Sequence, residues 1–188
     1  MKFIFDFDDV LFQTKKFIEH EYVYLVKIGI SRSVAEEFYK KTRGGEFSLK
    51  NFISNLFNQE KIKEVKAKDV YEHIINKSSD FVNKELLKIV QKLRKENCYL
   101  VTYGYEEFQI DKIKKAGIES FFSEIIVVSE SKKEAVEKIC AKHKDETVIF
   151  VDDKAKHFED LDFQKCPNLK TILYDEKGLE KLKVETKK

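Results

Sequence analysis

The chain has 188 residues, 42 % hydrophobic and 13 % aromatic, which is enough apolar material for one compact domain or a core with an inserted subdomain. Charged residues reach 37 %, yet 36 Lys and Arg against 34 Asp and Glu leave only +2, so no global field attracts nucleic acid or an acidic membrane. No apolar run approaches the roughly 20 residues of a membrane helix, and Asp6 falls inside what would have to be the apolar part of a signal peptide.

The first element is Ile4-Phe5-Asp6-Phe7-Asp8-Asp9-Val10-Leu11, an apolar stretch suited to a buried strand that ends in three carboxylates within four positions. Alternation sets Asp6 and Asp8 on one side of an extended chain. Without a cation they repel, and at least one pKa rises. Carboxylate oxygens suit a hard ion such as Mg²⁺, which often takes its last ligand from a phosphate. Phosphoryl chemistry is therefore the first expectation, and an Asp-rich turn closing an edge hairpin is the plainer one.

Residues 14 to 82 read as helices. Phe17, Ile18, Tyr22, Leu25 and Val26 recur at helical spacing as far as Gly29, and Ser31 or Ser33 can cap a second helix through Tyr39, broken at Gly44-Gly45. Ser48 can cap a third helix carrying Leu49, Phe52, Ile53 and Leu56, and Asp69 to Phe81 makes a fourth. From Asn83 helices and strands alternate: a helix with Leu86, Val90 and Leu93, a strand Cys98 to Thr102, a helix 106 to 116 stopped by Gly117, a strand Glu124 to Ser129, a helix 132 to 143, and strands Thr147 to Val151 and Leu169 to Tyr174. The tail from Lys181 reads as frayed. Such alternation predicts a parallel α/β sheet covered by helices on both faces, with its ligand beyond the C-terminal strand ends. Cys98, Cys140 and Cys166 form no CxxC pair and read as reduced thiols of a cytoplasmic protein.

At those strand ends the sequence gathers Asp6, Asp8 and Asp9, then Thr102, then Asp152-Asp153, with Lys132 and Lys133 opening the helix between. Singly, each is better explained by a cap, a turn or a solvated helix start. Jointly, and in this order, the set resembles the haloacid dehalogenase-like (HAD) superfamily of hydrolases. An apolar strand and Asp-x-Asp appear as Asp6-Phe7-Asp8, and a strand ending in Thr as Leu100-Val101-Thr102-Tyr103-Gly104. A Lys at a helix start appears as Lys132, and a strand ending in acids as Ile149-Phe150-Val151-Asp152-Asp153. Asp9 and Val10 stand where the family commonly has Gly and Thr. A receiver domain also combines acids, Thr and Lys, but in a different chain order, and the chain has no Gly-rich phosphate loop or GxGxxG.

The resemblance implies a Rossmann-like core, 1–13 and 83–188, with an all-helical cap, 14–82, and a Mg²⁺-dependent phosphatase. Asp6 is then the nucleophile, Asp8 the acid and base, and Thr102 and Lys132 the phosphoryl ligands. Asp6, the backbone carbonyl of Asp8, Asp152 and Asp153 hold the metal. Lys133 substitutes for Lys132 if the helix starts one residue later, and Tyr103, Gly104 and Arg43 are further candidates for contact with substrate, although a plain helix-helix turn at Thr42-Arg43-Gly44-Gly45-Glu46 is the better explanation of Arg43. Dehalogenases of the family lack the second Asp of the first motif, so Asp8 argues against that branch. The expected partner is a small phosphorylated metabolite, such as a sugar phosphate, phosphoglycolate-like acid or nucleotide, in a monomer or weak homodimer. A phosphomutase, a non-catalytic binding module, and a protein or polynucleotide phosphatase are the alternatives. Residues 13 to 82 hold 13 Lys and Arg against 10 Asp and Glu, too small an excess for a polyanion footprint. His20, His73, His143 and His157 show no ligand spacing, and the aromatic Phe38, Tyr39, Phe47, Phe52 and Phe57 read as the core of the cap.

Overall fold

The run Lys2-Phe3-Ile4-Phe5 is buried at every position and has no exposed face, as expected of a central parallel strand. In the computed structural model, which describes residues 1–43 and 47–187, it forms β1 (Lys2–Phe5), followed by four helices, α1 (Thr14–Lys27), α2 (Arg32–Thr42), α3 (Leu49–Glu60) and α4 (Ala67–Ile75). The break expected at Gly44-Gly45 lies outside the described residues. The alternating half follows as α5 (Lys84–Lys92), β2 (Cys98–Tyr103), α6 (Glu106–Ala116), β3 (Glu124–Val128), α7 (Lys133–Lys142), β4 (Val148–Asp152), α8 (Lys156–Glu159), β5 (Leu169–Leu173) and α9 (Glu176–Glu185). The strands form one parallel sheet in the order β3-β2-β1-β4-β5. It is an α/β, Rossmann-like sheet with helices around it.

β1 is central, with Phe5 opposite both Leu100 of β2 and Val151 of β4. The chain leaves β1 toward β2 on one side, and β4 returns on the other. Their C-terminal ends therefore bound the crevice where such sheets bind ligands. Side-chain caps fix several helix starts: Ser31 Oγ accepts from Val34 N at 3.4 Å, Ser48 Oγ from Asn51 N at 3.4 Å, and Asp175 Oδ1 from Gly178 N at 2.6 Å.

Several expected elements differ. The single helix from Asp69 to Phe81 divides into α4 and a 3-10 turn, Ser78–Phe81. Asn76 and the two serines after Lys77 are indifferent helix formers, and Ser78 Oγ bonds back to Ile75 O at 2.7 Å. The tail continues as α9 through Lys181, because Leu182 is fully buried and Leu179 packs on the same core. Val26, expected inward on α1, is 47 % exposed.

One apolar cluster runs from Phe3 and Phe5 through Phe7, Phe12 and Phe17 to Leu49, Phe52, Ile53 and Ile74. The aromatics of the helical segment thus share a core with the sheet. The links are close: ring centroids stand 4.9 Å apart for Phe7 and Phe12, and 5.2 Å for Phe12 and Phe17. A second cluster, with Ile4, Tyr99 and Phe150, lies beneath Val136 and Ile139 of α7. All three cysteines are free and buried. Among the described residues no helix is long and apolar enough to cross a membrane.

Candidate active site

The chain turns sharply after β1, so Asp6 and Asp8 lie past the strand and not on its alternating face. Phe12 N and Val10 N bond to Phe7 O, and Asp9 N bonds to Phe12 O at 2.8 Å. Asp9 takes φ 57° there, a left-handed conformation that Asp tolerates better than most residues. The turn sends the two carboxylates to different partners.

Asp6 is 2 % exposed. Its Oδ1 accepts from Phe7 N at 2.7 Å and lies 2.7 Å from Lys132 Nζ. The same ammonium, also buried, is 2.7 Å from Asp152 Oδ2, so one cation bridges the ends of β1 and β4. Asp152 accepts further from Lys154 N at 2.9 Å and faces His157 Nδ1 at 2.9 Å. Burial raises Asp6 to about 6, with Lys132 opposing and Asp152 adding to the rise. Asp152 is held below the usual range: burial works against it, but His157, Lys132 and Lys154 N prevail.

Asp8 has a separate clamp. Its Oδ1 accepts from Lys112 Nζ at 2.6 Å and Thr14 Oγ1 at 2.7 Å, and its Oδ2 from Gln109 Nε2 at 2.8 Å. Burial favours the neutral acid, yet Lys112 with these hydrogen bonds keeps Asp8 below its ordinary pKa. Lys112 is 3 % exposed, and its ammonium stands 5.2, 5.3 and 4.9 Å from the ring centroids of Phe7, Phe12 and Phe108.

Thr102, the penultimate residue of β2, is fully buried, and its Oγ1 has no hydrogen-bond partner among the described residues. Gly104 follows at φ 143°, and Gln109 Nε2 also donates to Tyr103 O at 2.9 Å. Asp6, Asp8, Thr102, Tyr103, Gly104, Lys132 and Arg43 all line one cavity of about 520 Å³. Arg43 is exposed, with its guanidinium 5.9 Å from the Tyr39 ring centroid. Lys133 starts α7 but does not line this cavity, and its Nζ lies 3.9 Å from Glu137 Oε1. Although α7 begins one residue later than expected, Lys132 is the lysine turned into the site.

Asp6, Asp152 and Asp153 each offer an oxygen within 4.8 Å of the others. Asp153 Oδ1 is buried without a hydrogen bond among the described residues, although Lys154 Nζ is 3.8 Å away. Three hard donors, one of them unsatisfied, fit a divalent cation such as Mg²⁺.

Thr14, Glu21, Gln109, Lys112 and His157 were not legible as site residues. Glu21 falls at the helical spacing Phe17, Glu21, Leu25, and Gln109 and Lys112 fall on the stripe with Phe108, Ile113 and Ala116. A polar residue on an apolar stripe was the available signal. His157, which shows no ligand spacing in the sequence, meets Asp152 and lines the cavity.

A parallel sheet with an acidic, lysine-bridged centre beyond the ends of β1 and β4 defines a Rossmann-like α/β protein with a charged site at its strand ends. The family model of the haloacid dehalogenase-like hydrolases matches residues 3–157, and the chain belongs to that family. No curated protein matches the sequence. The fold is similar to that of a haloacid dehalogenase-like hydrolase from Burkholderia xenovorans LB400, with TM-score 0.70 and 14 % identity over 95 % of this chain and 89 % of that one. It is also similar to a magnesium-bound HAD hydrolase from Bacillus subtilis described as showing interdomain movement, with TM-score 0.55 and 14 % identity over 98 % and 97 %. A protein from Thermotoga maritima described as a β-phosphoglucomutase gives 0.53 and 16 % over 96 % and 91 %. At these identities the likeness concerns the fold.

Proposed function

We propose that the protein is a Mg²⁺-dependent phosphatase of small phosphorylated metabolites, working through an aspartyl-phosphate on Asp6. The observation that supports this most is the buried bridge of Asp6, Lys132 and Asp152, with the unpartnered Thr102 hydroxyl on the same cavity as Asp6 and Lys132. Asp6, raised only to about 6, is mostly ionised at neutral pH. One of its oxygens attacks phosphorus as the bond to the leaving oxygen breaks. Lys132 and Thr102 hold phosphoryl oxygens, where charge must be stabilised. Water then attacks phosphorus, the bond to Asp6 breaks, and Asp8 takes the proton of the water.

Lys112 favours ionised Asp8, which supports the base half of that role directly. Giving a proton to the leaving oxygen requires the Lys112 pair to yield. Asp6, Asp152, Asp153 and the backbone carbonyl of Asp8 would hold Mg²⁺, which when bound neutralises charge on the phosphoryl oxygens. Residues 14–82 act as the cap, limiting water and large substrates.

Hydrolysis of p-nitrophenyl phosphate tests the reading. Wild type should require Mg²⁺, and Asp6→Asn should lose the activity, because an amide is neither the nucleophile nor an anionic ligand. Equal turnover by the two proteins would end the enzyme reading.

A further inference from the structure

This inference rests on the phosphatase reading and concerns what the site recognises in its substrate. Glu21 of α1 is 1 % exposed and lines the cavity, and its Oε2 has no hydrogen-bond partner among the described residues. The cation that acts on it is Lys112, whose ammonium is already committed to Asp8 at 2.6 Å. Burial pushes Glu21 up to about 8, against the pull of Lys112. It therefore carries a proton at neutral pH and can both donate and accept. An unsatisfied buried polar group costs about 1–3 kcal/mol, and no step of the phosphoryl chemistry uses this one.

We propose that Glu21 is a specificity-determining residue that hydrogen-bonds a hydroxyl of the leaving group, so that the substrates are phosphate monoesters of small uncharged polyols or sugars. The rest of the wall suits such a group. Tyr39, Phe47 and Phe108 present apolar faces to a carbon skeleton, and Gln109 Oε1 is a second buried acceptor without a partner among the described residues. An anionic leaving group would meet no free cation beside Glu21, since Lys112 is committed to Asp8, and an ammonium would meet no free anion there, since Glu21 is protonated. A hydroxyl incurs neither penalty. The cavity also has the exposed cations Lys15, Arg43, Lys154 and Lys156, which favour the approach of the phosphate.

The test compares esters that differ in their hydroxyls, glycerol 1-phosphate with propyl phosphate and sorbitol 6-phosphate with hexyl phosphate, using wild type, Glu21→Leu and Glu21→Gln. Wild type should prefer the hydroxylated ester of at least one pair. Glu21→Leu should reduce kcat/KM for that ester by roughly 10- to 100-fold, mainly through KM, and leave its alkyl partner and p-nitrophenyl phosphate nearly unchanged. Glu21→Gln, which keeps a donor and an acceptor, should restore most of the loss. A wild type that turns over p-nitrophenyl phosphate but prefers neither hydroxylated ester, or an equal loss on both members of a pair, overturns the inference and leaves the phosphatase reading standing. So does a loss confined to ethanolamine phosphate or 3-phosphoglycerate run alongside. A wild type inactive on every ester with Mg²⁺ removes both readings together.

Discussion

Lys112 and Asp8 show how strongly one residue can depend on another in this site. The pair is buried on the lysine side and only 20 % exposed on the aspartate side, so Lys112→Met would leave a carboxylate with two neutral hydrogen-bond donors and no counter-ion. Removing one partner of a buried pair costs about 3–5 kcal/mol. We expect a lower denaturation midpoint for this variant, and a smaller loss when Asp8→Asn is added, since the charge left behind is then gone. Chemical denaturation of the two single variants and the double variant checks this, and additive losses would mean that the pair is not coupled. The residue pattern at the strand ends, from Asp6 to Asp153, could be read because motif residues sit at the ends of apolar runs. Lys112, Gln109 and Glu21 were hidden because helical periodicity assigns a side to each position but does not say that a polar group on the inner side faces a cavity. His157 lies in α8, a single turn of four residues, too short for a periodicity that would fix its direction.

At the scale of elements, the strands were the most legible part, since β1 and β4 are buried at every position and an unbroken apolar run has few other uses. Less legible were the ends set by local hydrogen bonds, such as the 3-10 turn after α4, and α9, whose hold on the core rests on few apolar residues in a charged tail. The join between β2 and α6 deserves a test of its own. Gly104 has φ 143°, and a Cβ there would come 2.8 Å from Gln109 Nε2, the atom that reaches Asp8. Gly104→Ala should therefore cost roughly 1–3 kcal/mol in backbone strain and displace Gln109 from Asp8. The expected result is a lower melting temperature together with a reduced kcat on p-nitrophenyl phosphate. Unchanged stability would show that the loop absorbs the side chain without strain.

At the scale of the whole molecule, the helical segment meets the sheet domain largely through α6. Lys50 of α3 pairs with Glu107, and its Nζ lies 3.4 Å from Asp111 Oδ2. Tyr71 Oη of α4 donates to Asp111 Oδ2 at 2.5 Å, and the Phe47 and Phe108 rings meet edge to face at 5.9 Å. The ion pairs are exposed, so each is worth about 1 kcal/mol or less, weak enough for the cap proposed above to part from α6. Tyr71→Phe combined with Lys50→Met should weaken the closed arrangement, raising KM for a good substrate several-fold with little change in melting temperature. Steady-state kinetics and a thermal melt of the same preparation decide it, and an unchanged KM would separate these contacts from substrate capture.

The same helix grips Asp8 from its other side. Glu107 and Asp111 of α6 face the helices above, and Gln109 and Lys112 face Asp8 below. A helix moves nearly as a rigid rod, so α6 works as an interlock. On the function proposed above, whatever shifts its upper contacts is felt at the lower ones, so the proton-handling role proposed for Asp8 is tied to how the helical segment sits on α6. On that reading, a displaced α6 would leave Asp8 without Lys112 and Gln109, and the proposed phosphoenzyme would wait for the helix to return before water discharged it.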